Sequence, residues 1–256
     1  MVASLTACGG NGGDATTAAA GGDPPTAAPG GDTTTAAGRA SADNSGAGAQ
    51  GAFKIGVIGP LTGPAAAYGI AVQNGADLAV KEINAAGGAN GVMLEMNAQD
   101  DEHDPQKSVN AYNTLKDWGA QAIVGSTTSD PCIAVAAETS NDNMFQITPS
   151  GSAVECVAPE NVFRVCFADP DQGTASAVYI GENKLATKIA VIYDSSTTYS
   201  SGIREAFVKE AANQGLEVVA DEAFTAYNAT DFSVQLDKTK EAGAELVFLP
   251  IYYQEA

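Results

Sequence analysis

Positive charge is scarce in this 256-residue sequence: 12 Lys and Arg stand against 31 Asp and Glu, a formal net charge of −19. Nucleic-acid binding needs clustered Lys and Arg to neutralise phosphates, so the balance argues against DNA and RNA as partners. It argues equally against electrostatic docking on anionic lipid. Long hydrophobic runs are missing too, and nothing approaches the roughly 18–20 apolar residues of a membrane-spanning helix. There is one histidine and no Cys-x-x-Cys, so the paired ligands of a zinc site are absent and no metal is expected. No G-x-G-x-x-G opens a helix after the first strand, and no G-x-x-x-x-G-K-[ST] occurs. Nucleotide binding therefore lacks its fingerprints, and no cofactor is expected. A lone histidine in an acidic loop is poor equipment for activating a nucleophile, which makes an α/β enzyme the alternative and not the first reading. Aromatic residues are only 7% of the chain, but a hydrophobic content of 45% is enough for a sizeable core.

The N-terminus carries Leu5-Thr6-Ala7-Cys8-Gly9. An apolar residue three before a cysteine, small residues between them and glycine after it resemble a bacterial lipoprotein signal. On that reading residues 1–8 are the remnant of the signal, lacking its charged and fully apolar regions, and Cys8 is the lipidation site. Residues 9–52 are Gly, Ala, Thr, Asp, Ser and Pro with almost no large hydrophobe, so they are expected to form a disordered tether. A Gly-rich coil of about 43 residues has an end-to-end distance of roughly 35–40 Å. That gives a lipid-held domain room to move beside a membrane partner, and a multiply acylated cysteine would hold it firmly.

Composition changes abruptly at Phe53. The run 53–59 is short, apolar and closed by Gly-Pro, the pattern of a buried parallel strand. A helix is expected from about Tyr68, with Val72, Ala76, Ala79, Val80 and Ile83 on one face and glycines 87 and 88 stopping it. A second strand follows at 92–97. Asp104-Pro105 marks a helix start, the Asp as N-cap and the Pro in the first turn, and that helix runs to about Trp118. Strands are then expected at 122–125, 144–147, 162–167, 188–193, 216–220 and 245–249. Helices are expected at 131–141, from about 172, at 201–213 and at 231–242. Strands alternating with helices of 10–15 residues make parallel sheets covered on both faces. The fold class is thus α/β with two Rossmann-like lobes, residues 53–170 and an incomplete second lobe at 171–256. The chain stops just after a strand, which reads as a C-terminal truncation.

In such sheets ligands sit beyond the carboxyl ends of the strands. The loops leaving them here are 59–68, 126–129, 148–152, 194–199 and 250–253, rich in hydroxyls, backbone amides and tyrosines. Helix N-termini and hydroxyls suit a carboxylate, and tyrosine rings suit an apolar side chain, so a small zwitterion or polar neutral solute fits.

The segments Ile55-Gly56-Val57-Ile58-Gly59-Pro60-Leu61-Thr62-Gly63, Ala85-Ala86-Gly87-Gly88, Asp100-Asp101, Ile147-Thr148-Pro149-Ser150-Gly151-Ser152 and Phe163-Arg164 leading to Asp171-Gln172-Gly173 resemble the type I periplasmic binding-protein family. Within it they are most similar to the branched-chain amino-acid (Leu/Ile/Val) solute-binding proteins of ABC transporters. The resemblance covers nearly all of residues 53–256. It implies a monomeric two-lobed clamshell that closes on an amino acid and docks on a membrane permease. Residue by residue, it implies that the Ser129 hydroxyl holds the ligand carboxylate and that the Ser150 carbonyl accepts from the ammonium. Ser152 would use both amide and hydroxyl, and Tyr68, Tyr199 and Tyr252 would surround the ligand, with Tyr253 close enough to exchange places with Tyr252. The family's acidic partner for the ammonium falls beyond Ala256. A two-lobed fold of this kind also serves as the sensory domain of receptors, which is the second alternative function.

With Cys8 lipidated, Cys132, Cys156 and Cys166 remain, an odd number that allows one disulfide in an extracytoplasmic protein. Cys156 and Cys166 flank a short excursion around Pro159 and are favoured over Cys132–Cys156. His103, in Asp100-Asp101-Glu102-His103-Asp104, reads as part of a solvated loop whose Asp104 caps a helix, and not as a cation ligand. Asp100 and Asp101 leave a strand near the cleft, placed to brace its loops.

Overall fold

The computed structural model describes residues 51–226 and 229–256; Cys8 and the tether up to residue 50 lie outside the described residues. The alternation read from the sequence is present as eight strands and six helices among the described residues. In chain order these are β1 (Phe53–Gly59), α1 (Ala66–Ala85), β2 (Leu94–Asp100), α2 (Pro105–Trp118), β3 (Ala122–Val124), α3 (Ser129–Asp142), β4 (Gln146–Thr148) and β5 (Val162–Arg164). They continue as α4 (Asp169–Glu182), β6 (Lys188–Asp194), α5 (Thr198–Asn213), β7 (Glu217–Phe224), α6 (Ser233–Glu241) and β8 (Leu246–Phe248). A short 3-10 turn at Val154–Val157, absent from the sequence reading, lies between β4 and β5.

Two parallel sheets result, one ordered β2-β1-β3-β4-β5 and one ordered β7-β6-β8. Helices make the crossovers except between β4 and β5, which the short 3-10 turn connects. In the first lobe, Ile58 and Ile123 pack against Tyr112 and Leu115 of α2 and Val135 of α3. The one polar atom of buried Tyr112 is satisfied at the rim, its hydroxyl donating to Asp142 at 2.7 Å. In the second lobe, Ile189 and Val191 of β6 meet Ile180 of α4, Ile203 and Phe207 of α5, and Phe248 of β8. The rings of Phe207 and Phe248 stack with centroids 4.1 Å apart. Helix α4 belongs to this second core, and it crosses α5 closely because Gly173 has no side chain: a Cβ there would sit 2.8 Å from the Phe207 backbone nitrogen.

Local chemistry sets the boundaries. Asp104 is the N-cap of α2, accepting from the Lys107 amide at 2.8 Å with Pro105 behind it, and Gly119 ends the helix in the left-handed region at φ +90°. β2 begins two residues later than its hydrophobic pattern suggests. Ala89 and Val92 first form a tight antiparallel bridge, and the Asn84 side chain then clamps Leu94 through both backbone groups, at 2.8 and 2.9 Å. Helix α1 differs from expectation in its inward face. It docks through its N-terminal end, where Gly69 lies against the Pro60 carbonyl, so Val72, Ala76 and Val80 are half-buried whereas Ala79 and Ile83 are exposed.

The expected Cys156–Cys166 disulfide is not present. Cys132, Cys156 and Cys166 are all free thiols. The 3-10 turn folds Cys156 back onto the first turn of α3, where it packs with Cys132 and Ala153. Strand β5 meanwhile carries Cys166 onward to the loop before α4, which separates the pair read from the sequence.

Candidate functional site

The loops leaving the strands of both lobes converge. Between them lies a cavity of about 200 Å³ lined by Tyr68, Thr127, Thr128, Ser129, Ser150, Ser152, Cys166, Phe167, Gln172, Tyr199 and Tyr252. The structure thus brings Tyr68, Ser129, Ser150, Ser152, Tyr199 and Tyr252, all read from the sequence, to one place. No lining residue carries a formal charge, so the cavity offers neutral hydrogen-bonding groups and rings. Its size lies below the roughly 300–1,000 Å³ of pockets for drug-sized ligands, which limits it to a small solute.

The hydroxyl wall comes from the first lobe. Ser129 opens α3, whose free N-terminal amides favour an anion. The Ser129 hydroxyl accepts from the Ala153 amide at 3.2 Å, which ties the start of α3 to the 150–153 loop. Arg164 fixes the other side of that loop: its Nη1 donates to the carbonyls of Ser152 and Ala153 at 3.0 and 2.9 Å. Beneath Thr127 and Thr128, buried Asp101 accepts from the Ser126 hydroxyl and from the His103 amide, and burial pushes its carboxyl upward. Asp100 accepts from the amides of Leu61 and Glu102 at 2.8 and 2.9 Å and from the Thr62 hydroxyl. Burial opposes its charge, but these bonds outweigh burial and hold it below the usual carboxylate range. The two acids therefore brace the first-lobe loops.

The aromatic wall joins the lobes. Tyr199 and Tyr252 stack with centroids 4.8 Å apart, and Tyr68 from the first lobe meets Tyr252 edge-on at 5.7 Å. The second-lobe tyrosines are placed by Ser200, whose hydroxyl donates to the Pro250 carbonyl at 2.5 Å and accepts from the Asp194 amide at 2.8 Å. That one group pins the end of β6 to the end of β8. Burial pushes Tyr199 up to about 12 and Tyr252 well above the ordinary tyrosine value, so both remain neutral hydroxyls. Tyr252 lines the cavity, and Tyr253 lies outside it on the flank of Tyr68 at 5.5 Å.

These loops and lobes have close counterparts among known proteins. Residues 52–254 match the sequence profile described as "Periplasmic binding protein". The chain belongs to the periplasmic binding protein family. Among curated relatives, it is 36% identical over 203 residues to Leu/Ile/Val-binding protein homolog 3 of Brucella melitensis, an alignment covering 78% of this chain and 55% of that protein. It is 32% identical over 205 residues to the leucine-, isoleucine-, valine-, threonine- and alanine-binding protein of Pseudomonas aeruginosa, covering 79% of this chain and 54% of the relative. Among solved structures, the branched-chain amino acid transporter substrate binding protein LivJ of Streptococcus pneumoniae, in complex with isoleucine, aligns at a TM-score of 0.73 and 32% identity. That alignment covers 80% of this chain and 58% of LivJ. The chain spans about half the length of the curated relatives it matches.

In this periplasmic binding protein three positions near the cavity differ from the sequence reading or escaped it. His103 is not simply part of a solvated loop: its Nδ1 lies 2.8 Å from the Thr128 hydroxyl, and its ring meets Tyr252 edge-on at 5.1 Å. Asp130, in the first turn of α3, reaches across to the second lobe, where its carboxylate accepts from the Thr198 amide at 3.3 and 3.4 Å and from the Thr198 hydroxyl. Asp169 is 1% exposed at the start of α4. The Ser152 hydroxyl faces its carboxylate, yet neither oxygen completes a hydrogen bond. Burial pushes Asp169 up to about 6, and its charge in turn raises Tyr199 and Tyr252. Asp169 also lines an outer cleft of about 550 Å³ beside α5. A signal for Asp130 was available, an acidic residue at a helix start, but only the fold supplies its partner 68 residues away.

Proposed function

We propose that this chain captures a branched-chain or chemically similar amino acid between its lobes and delivers it to the membrane permease of an ABC importer. The observation that carries the reading is the shared cavity: six residues from five loops of both lobes line one small space without formal charge. In this proposal the ligand carboxylate takes the Ser129 hydroxyl and the N-terminal amides of α3, with the Ser152 amide and hydroxyl beside them. The ammonium takes the Ser150 carbonyl and is favoured by the negative charge of Asp169 behind Ser152. Tyr68, Tyr199 and Tyr252 enclose the aliphatic side chain. Branched-chain specificity follows the names of the relatives from Brucella and Pseudomonas and the isoleucine in LivJ.

Binding works by population shift. Contacts across the cleft, Asp130 to Thr198 and Tyr252 to His103 and Tyr68, favour the closed arrangement. A ligand touching both lobes adds its differential contact energy to that side of the equilibrium, and the closed form is what a permease would recognise. No bond is made or broken. The imidazole of His103 meets the Thr128 hydroxyl, while the nearby Asp101 accepts from the His103 backbone amide, so both groups are engaged in bracing the first-lobe loops. The family supports an extracytoplasmic location; lipidation at Cys8 and a monomeric state complete the proposal.

The test is isothermal titration at neutral pH with leucine, isoleucine and valine, alongside the matching α-keto acids, which lack the ammonium. Saturable binding of at least one amino acid, lost with its keto acid and weakened at least tenfold by Ser129→Ala, supports the reading; the expected loss of a charge-assisted hydrogen bond is about 1.5–3 kcal/mol. A folded protein that binds none of the three refutes the ligand class.

A further inference from the structure

We infer that Cys132 and Cys156 are a disulfide site, joining the first turn of α3 to the 3-10 turn at Val154–Val157 so that the two hydroxyl-bearing loops of the cavity become one covalent unit. The juxtaposition carries it. Both residues are fully buried and pack in one small cluster with Ala153. The Cys156 thiol also donates to the Ser129 carbonyl at 3.6 Å, and Gln146 Nε2 donates to the Cys132 sulfur at 3.6 Å. Cys132 follows Ser129 by one helical turn, and Cys156 follows Ser152 by four residues, so the bond would hold both cavity serines from behind. The third thiol, Cys166, stays apart and half-buried in the cavity wall.

The chemistry is two-step thiol–disulfide exchange with an oxidised dithiol catalyst or oxidised glutathione. One cysteine thiolate attacks a sulfur of the oxidant, forming a mixed disulfide and releasing a thiolate that takes up the lost proton. The second cysteine, deprotonated, then attacks the bound cysteine sulfur and displaces the other half of the oxidant as a thiol. Two electrons and two protons pass to the oxidant, and one S–S bond replaces two S–H bonds. Because both sulfurs end fully buried, exchange precedes closure of the fold, and the finished bond is shielded from reductants. The inference rests on the extracytoplasmic reading only for its occurrence in the cell, since that is where such bonds persist.

Trypsin makes the test direct. No Lys or Arg lies between Lys116 and Arg164, so Cys132 and Cys156 share one tryptic peptide while Cys166 falls in the next. The unmutated chain is refolded in a glutathione redox buffer, denatured, alkylated without reductant and digested. The expected result is a 117–164 peptide about 2 Da lighter than its reduced form and unalkylated, with the Cys166 peptide fully alkylated. Further cleavage after glutamate should leave the Cys132 and Cys156 fragments linked. Reduction in denaturant followed by refolding without oxidant should lower the melting temperature by roughly 5–10 °C, and it should do so in Cys166→Ser but not in Cys156→Ser. Alkylation of both cysteines, or a cross-link to the Cys166 peptide, overturns the inference. The refolding needs no ligand, so a failed amino-acid titration and a failed cross-link are separate results.

Discussion

Asp130 and Thr198 offer the sharpest probe of how the lobes are held together. They sit 68 residues apart in sequence, one in the first turn of α3 and the other in the first turn of α5. Thr198 presents an amide with no partner inside its own helix, and Asp130 supplies that partner from the other lobe. Thr198→Val deletes the hydroxyl with little change in shape, and Asp130→Asn deletes the charge. A hydrogen bond to a charged group is worth about 1.5–3 kcal/mol when well made. Here the amide contacts are long and the pair is only partly buried, so a coupling of about 1–2 kcal/mol is the reasonable value. Urea denaturation of the wild type, both single variants and the double variant gives that coupling without any ligand. If amino-acid binding requires the closed form, the same cycle measured by titration should show affinity falling by about tenfold, since apparent affinity scales with the closed fraction. Single-variant effects that add to within about 0.3 kcal/mol would mean that the contact does no work across the cleft, and the reasoning would fail.

Other expectations follow from single sites. Asp169 has an ordinary value of 3.8 and is raised to about 6 in the fold, so between those values the folded state binds more protons than the unfolded one. Unliganded stability should therefore rise as pH falls from about 6 towards 4, and Asp169→Asn should flatten that slope; a slope unchanged in the variant would show another group is responsible. Amino-acid affinity should move the other way, weakening by up to about tenfold as the carboxylate is neutralised below pH 6. Phe207→Ala, which empties the stacked core of the second lobe, should cost about 3–5 kcal/mol in urea denaturation. Tyr253→Ala should leave amino-acid affinity nearly unchanged while Tyr252→Ala reduces it severalfold; titration showing equal losses would contradict the assigned register.

The alternation of strands and helices was legible because each element signals locally. Asp104-Pro105 starts α2 at the expected residue, and the apolar run 53–59 is β1 without adjustment. Boundaries drifted where a distant or nonlocal contact intervened, as when Asn84 and the Ala89–Val92 bridge delay β2. The cavity residues were legible for a different reason: parallel topology places every strand's carboxyl end on one side, so hydroxyls and tyrosines in those loops are brought together whatever their spacing. Tertiary burial has no such local signature. Nothing near Asp169 in sequence announces that its carboxylate will be enclosed without a partner, or that His103 will leave its acidic loop to meet Tyr252. The packing of Cys156 beside Cys132 was hidden for the same cause, since proximity along the chain favoured Cys166 while the 3-10 turn brings Cys156 into the Cys132 cluster.

A crystal structure of the full chain grown with leucine examines the central claim most directly. Leucine should place its carboxylate at Ser129 and the start of α3, its ammonium on the Ser150 carbonyl side, and its isobutyl group between Tyr68 and the Tyr199–Tyr252 stack. Leucine bound in any other place, or in this cavity with its charged end against the tyrosines, would contradict it.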